Sequence, residues 1–581
     1  MCPWECRRAL RGHSRQVRKL PRDSLRGEKY GTSGETNTVG SEIRTFDICV
    51  VGSGPAGGIL AKELAESGAK VALLEAGRLT TPEEFHYHAW PYEFPKRIFP
   101  TPGYPSEVTE SIRYENSDDV EVDRIRVVGG RSIHWNAVCL RFAERDFRER
   151  SIQGVEEDWP LSYQELAPYY SYVEKMIGVT GSRENLDIVP DGDFLPPLKL
   201  RCSEEILKRA CAKMGVPLIP TRKALLTRPY DDRPPCHYCG HCMRGCDVGA
   251  IFSVPTAILP KAEKTGNFTL IQNKLAREIL MDRAGGARAV AVVDTVTRKE
   301  EEIQARVFAI CCGAVEGPRL LLNSRSPRFP NGIANSSGLV GRYLGGHGYS
   351  TLLGYLEELA GTKPVNNDGA MDHAFIPSFN HLGRKKQDFV GGCQYPINFM
   401  GFMFPYQANS LKGFGKDFKE QVRTLQPGFI HVGPWCKVLA KPENHVAVDR
   451  SHVDAYGIPI PVVHFRFCEN DRALVRAGVE NVKEMLHLAK ARLVIDSKPE
   501  SENDGFGSHE TGTTRMGNDP RTSVLNAFCQ SHDVKNLFVV SGSCFTTTPE
   551  KNPTHTIMAL AVRTARYIAS ETKHGNLRTA S

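Results

Sequence analysis

No apolar run in the 581-residue sequence approaches the roughly 18 residues that a membrane-spanning helix needs, so no span is expected. A secretory or twin-arginine signal is also incomplete, because no apolar stretch follows Arg7-Arg8. The expected address is therefore cytoplasmic, or periplasmic if a partner subunit carries the chain out. No internal repeat is evident. Net positive charge is scarce beyond the start of the chain: in residues 1–30, nine Lys/Arg against three acidic residues account for six of the seven net charges. Nucleic acid is thus not an expected partner, and residues 1–44 read as a basic, disordered tail.

Hydrophobic residues make up 40% and charged residues 24%, as in soluble globular proteins, and the length exceeds what one hydrophobic core fills, so two or three lobes are expected. Most of the seventeen cysteines sit singly in apolar segments, as Cys49 does in FDICVVG, or as the pair Cys311-Cys312 in FAICCGAVEG. These read as buried free thiols.

Residues 46–78, FDICVVGSGPAGGILAKELAESGAKVALLEAGR, order themselves as apolar strand, glycine turn, helix, second strand and acid. Gly52 and Gly54 permit a tight turn and close backbone approach to a pyrophosphate, with Ser53 and Ala56 in the same turn. Gly57 lets helix pack on strand, and the helix N-terminus attracts phosphate. Glu75 closes the second strand, where a carboxylate can accept from ribose hydroxyls. A dinucleotide is the expected ligand, and the acid selects against a 2′-phosphate without separating NAD from FAD.

Four further segments, VVGGRSIHWNAVCLRF (127–142), VFAICCGAVEGPRLLLNS (307–324), GSHETGTTRMG (507–517) and LFVVSGSCFTTTPEKNPTHTIMALA (537–561), resemble in order and spacing the glucose-methanol-choline family of FAD-dependent alcohol oxidoreductases. The resemblance runs from about residue 45 to 570 and is weakest between about 345 and 440. It implies an α/β protein with a Rossmann-type FAD-binding lobe and a second, α+β substrate lobe on a mixed sheet. The boundaries expected are 45–340 for the FAD lobe, 341–500 mainly for the substrate lobe, and 501–570 for a segment completing the FAD lobe and active site.

Oxidising a CH–OH group needs a base for the hydroxyl proton and an acceptor for hydride, which oxidised flavin provides. The resemblance assigns the base to His509 of HETGT and orientation of the hydroxyl to Asn552 of NPTHT. It also assigns cofactor contacts to Gly129, Gly130, Ser132, His134, Asn136, Gly542, Ser543, Asn552 and Thr554. In pyranose 2-oxidases a histidine at the His134 place bonds covalently to flavin, whereas other members hold FAD non-covalently; both remain open. Asn552 before Pro553 is also a preferred helix start, with Asn552 as cap and Ile557, Leu560, Ala561, Thr564 and Ile568 as the buried stripe. His555 stands where the family usually has Leu and reads as a packing variant, and Ser541 stands where Asp is common.

CHYCGHCMRGC (236–246) spaces Cys236, Cys239, Cys242 and Cys246 as C-x2-C-x2-C-x3-C. That run suits an iron–sulfur cluster better than zinc, whose four-cysteine sites usually divide into two separated pairs. Zinc and a structural or disulfide-forming loop remain the alternatives. With a cluster, the expected enzyme is a dehydrogenase oxidising a secondary alcohol of a pyranose sugar or glycoside to a ketone. Its electrons would leave to a protein acceptor, with a small helper subunit and a cytochrome as implied partners. An oxidase using oxygen is the alternative, and a non-catalytic flavin-carrying subunit the remote one.

Overall fold

A computed structural model describes residues 45–85, 112–115, 117, 124–363, 369–378, 388–398, 408, 411–495, 505–506 and 509–577. The expected basic tail lies outside them. Strand β1 (Thr45–Val51) is followed by helix α1 (Pro55–Glu66) and strand β2 (Val71–Leu74). Pro55 suits the first helical turn, where its missing N–H costs nothing, and Gly68, at φ 94°, turns the chain out of the helix. Later come β3 (Phe268–Ile271), β4 (Lys274–Met281), β5 (Ala287–Asp294), β6 (Glu300–Ile310) and α2 (Gly313–Asn323). Then follow β7 (His347–Tyr349), β8 (Cys393–Ile397), β9 (Trp435–Lys437), β10 (Leu537–Val539) and α3 (Thr554–Lys573).

A seven-stranded sheet runs β3-β2-β1-β6-β5-β4, with β10 beside the C-terminal half of β6. Strands β3, β2, β1, β6 and β10 are mutually parallel, while β5 pairs antiparallel with β6 and β4 antiparallel with β5. Strand β2 and the C-terminal ends of β1 and β6 are apolar and buried, because both faces are covered there. Parallel pairing also brings the ends of β1, β2, β6 and β10 to one edge, placing Gly52, Glu75, Cys311 and Ser541 together.

Strands β7, β8 and β9 belong to a nine-stranded sheet whose described pairings are antiparallel. Helix Glu469–Leu488 covers it with Leu474, Val475, Val479, Val482, Met485 and Leu486. Burying such side chains stabilises by about 1.5–3 kcal/mol each for the larger ones. The segments HVAVD and PVVHFRF pair antiparallel in a separate three-stranded sheet, completed by Arg113–Tyr114 running parallel to the second. Between β8 and β9, paired Cys393 and Cys436 form a disulfide, so these two are not free thiols; Cys49, Cys311 and Cys312 are.

Helix α3 corrects one expectation. Its N-cap position is Pro553, and no side-chain cap bond is made there. Asn552 is drawn instead to two tertiary partners, described below. The stripe Leu560, Ala561, Thr564 and Ile568 is buried as expected, whereas Ile557 faces the cavity.

Candidate active site

One continuous cavity runs from the β1–α1 turn to the ends of β8 and β9. At the first end, a Cβ on Gly57 would lie 1.9 Å from the Gly52 carbonyl oxygen, so only glycine lets α1 sit this close to β1. Gly54 is the opposite case: a Cβ there would meet no protein atom within 4 Å, at the N-terminus of α1 and on the cavity wall. The space in front of Gly54, under the helix N-terminus, fits a pyrophosphate.

The Glu75 carboxylate accepts from Ser53 Oγ at 2.6 Å, from Ser53 N at 3.1 Å and from Gly77 N at 3.1 Å. Burial raises its pKa against the pull of these bonds. Ser53 Oγ in turn accepts from Gly129 N at 2.9 Å, which ties the second glycine segment to the first. Of the expected cofactor contacts, Gly52, Ser53, Gly54, Ala56, Glu75, Gly130, Ser132, His134, Asn136, Gly542, Asn552 and Thr554 line the cavity. Gly57, Gly129 and Ser543 stand behind the lining as supports; the Ser543 hydroxyl, for example, pairs with Ser541 Oγ at 2.7 Å. His555 is fully buried against the Tyr170 ring, its centroid 4.8 Å away, and burial lowers its pKa to about 4. That geometry is a packing role.

At the other end His509 and Asn552 meet, although 43 positions separate them. Asn552 Nδ2 lies 3.3 Å from His509 Nε2, and Asn552 Oδ1 accepts from Gln394 Nε2 at 2.8 Å. His509 Nδ1 contacts Nδ1 of His347 at 2.7 Å, and Nε2 of His347 lies 2.7 Å from the Pro549 carbonyl oxygen. Burial, then the neighbouring His347 and Arg131, hold the His509 pKa well below its usual value, so the ring is a neutral acceptor at physiological pH. Trp435 packs on His509 with ring centroids 5.1 Å apart and stacks on Tyr349 at 5.3 Å. His347, Gln394 and Trp435 were not expected. They lie on short strands without a local motif, in the stretch where the family resemblance is weakest.

The four-cysteine loop departs from expectation. Among the described residues no group of three or more His, Cys, Asp or Glu side chains is arranged to hold a metal. Cys236, Cys239, Cys242 and Cys246 stand as free thiols. Two of the sulfurs accept from the backbone: Tyr238 N donates to Cys236 Sγ at 3.3 Å and Met371 N to Cys242 Sγ at 3.4 Å. Burial raises the pKa of Cys239 to about 12 and that of Cys236 and Cys246 in the same direction. The described residues give the expected iron–sulfur site no support.

Comparison with known proteins agrees with the fold. Family models described as GMC oxidoreductase match residues 46–347 and 440–561. The 2-methyl-1,2-propanediol dehydrogenase of Mycolicibacterium austroafricanum is 30% identical, over 90% of this chain and 95% of its own. The fructose dehydrogenase large subunit of Gluconobacter japonicus is 28% identical, over 92% of this chain and 100% of its own. Among solved structures, pyridoxine 4-oxidase from Mesorbium loti superposes with a TM-score of 0.62 at 20% identity, covering 90% of this chain and 99% of that one. The chain belongs to the GMC oxidoreductase family: it is a flavin-dependent oxidoreductase acting on CH–OH groups. No described helix is long and apolar enough to cross a membrane.

Proposed function

We propose that the protein is a dehydrogenase oxidising a secondary alcohol of a pyranose sugar or glycoside to a ketone, with His509 as general base and Asn552 orienting the hydroxyl. The observation that carries this is the single cavity joining the glycine turn to the paired His509 and Asn552. FAD bound along the β1–α1 turn and the Gly130–Asn136 segment supplies the hydride acceptor. A hydroxyl between His509 Nε2 and Asn552 Nδ2 gives its proton to the first nitrogen while its oxygen accepts a hydrogen bond from the second. The carbon's hydrogen then leaves as hydride and the carbonyl forms.

A sugar is favoured by the cavity's mixed lining. Trp435 offers a flat apolar surface to a pyranose ring face, while Gln394, Thr221 and Asp372 offer polar atoms to its hydroxyls. The relatives named for fructose and for a diol support a polyol substrate.

In anaerobic stopped-flow, His509→Ala should slow bleaching of the flavin by substrate about 10²- to 10⁴-fold, while the protein still folds and holds FAD. Wild-type bleaching rates would remove the base assignment. A panel of pyranoses and simple diols with a dye acceptor identifies the substrate class, and better turnover of the diols would displace the sugar. Rapid recolouring of reduced enzyme by oxygen would make it an oxidase. Iron and acid-labile sulfide in anaerobically purified protein would restore the cysteine loop as an electron exit toward a helper subunit and cytochrome.

A further inference from the structure

His347 is fully buried on the first residue of β7, opposite Lys437 of β9, and lies in no motif. Its two ring nitrogens face two different partners, and the partners dictate where the protons are. The Pro549 carbonyl oxygen can only accept, so His347 Nε2 must carry a proton to make the 2.7 Å contact. In a neutral ring the other nitrogen, Nδ1, is then a bare lone pair. The 2.7 Å contact between the two Nδ1 atoms needs one proton between them, and it must come from His509. His509 therefore bears its proton on Nδ1, which leaves Nε2 open toward Asn552 and the cavity.

The opposite end of the chain of bonds agrees independently. Gln394 Nε2 donates to Asn552 Oδ1, which turns the Asn552 amide nitrogen toward His509 Nε2. A donor there requires an acceptor at Nε2. Both ends thus impose one polarity, running from Gln394 through Asn552, His509 and His347 to a backbone carbonyl.

We propose that His347 is a positioning residue for the base: by accepting the Nδ1 proton of His509 it holds the tautomer whose Nε2 lone pair faces the substrate. Burial lowers the pKa of His347 to about 4, which keeps the ring neutral over the working range. When Nε2 takes the hydroxyl proton, the contact to His347 becomes charge-assisted and strengthens as the imidazolium forms. The inference rests on His509 being the base, so the His509→Ala rate is measured alongside.

The test compares His347→Gln with His347→Met, two side chains of similar length. Glutamine can accept from His509 Nδ1 with its oxygen and donate to Pro549 with its amide; methionine does neither well. Nitrogen-15 NMR of histidine-labelled protein reports which ring nitrogen of His509 is protonated, with or without flavin, with His509→Ala assigning the signal. The wild type and His347→Gln should show the proton on Nδ1, and flavin reduction in His347→Gln should stay within about tenfold of wild type. His347→Met should lose the single tautomer and slow reduction about 10²- to 10⁴-fold. A proton on Nε2 in the wild type overturns the proposal even if both variants fail to fold. So does wild-type reduction in His347→Met, or an equal loss in both variants, which would mean shape and not hydrogen-bond polarity. If His509→Ala reduces flavin at wild-type rate, the base assignment fails, whatever tautomer is found.

Discussion

Replacing Asn552 by aspartate changes one atom's chemistry beside His509, the proposed base. The amide nitrogen 3.3 Å from His509 Nε2 becomes an anionic oxygen, while the other oxygen still accepts from Gln394. A negative charge about 4 Å from the charge centre of the imidazolium favours the protonated ring by about 4 kcal/mol at an effective dielectric constant near 20. At about 1.36 kcal/mol per pH unit, the ionisation of His509 rises by about three pH units. In the wild type, burial and then His347 and Arg131 hold that ionisation well below its usual place, so reduction should be flat from mildly acid to mildly alkaline pH. A base must be deprotonated to act, so raising its pKa removes activity on the acid side and restores it as pH climbs. The acid limb of the variant should therefore lie about three pH units above that of the wild type, on top of a pH-independent loss from the missing donor. Because Pro553 occupies the cap position, the start of α3 is not at stake. The assay is anaerobic stopped-flow reduction of the flavin by saturating substrate across a pH series. A slow variant with a flat profile would refute the charge argument, and a wild-type rate with a flat profile would remove Asn552 from the chemistry.

Gly54→Val should fold normally but purify with little flavin, since its Cβ meets open space where the pyrophosphate fits; undiminished flavin per chain would contradict the cradle. Gly57→Ala should lower the melting temperature instead, because its Cβ collides with the Gly52 carbonyl. Glu204 is buried and accepts from His373 Nδ1 at 2.6 Å and from Arg201 Nε at 3.0 Å; Glu204→Gln should cost about 3–5 kcal/mol in urea unfolding at neutral pH. Burial would raise the Glu204 pKa, but His373 and Arg201 hold it well below the usual carboxylate range. Its stabilisation is therefore full above the unfolded carboxylate pKa and fades as pH falls toward the folded one, so the deficit of the variant should shrink in acid.

What could be read in advance was what a contiguous segment determines. The glycine turn, His509 and Asn552 each sit in a stretch whose neighbours constrain them, and the fold placed them along one cavity. His347, Gln394 and Trp435 could not be read that way, since antiparallel pairing in the nine-stranded sheet is what aims them at His509. The cap expected at Asn552 failed because local propensity competes with tertiary partners, and two stronger ones were available. The cysteine loop shows the limit of spacing alone: four cysteines within eleven positions are free thiols here, two of them accepting from backbone N–H groups.

The Cys393–Cys436 bond joins β8 and β9 one residue from Gln394 and Trp435, which are themselves paired across the same two strands. A slip of one residue between such strands would send every side chain to the opposite face. The crosslink forbids that slip at the rung that matters, so positions 394 and 435 can exchange side chains while the wall keeps its alignment with the base. Under the proposed function, substitutions at 394 and 435 would recontour this stapled wall and leave His509 Nε2 where it stands.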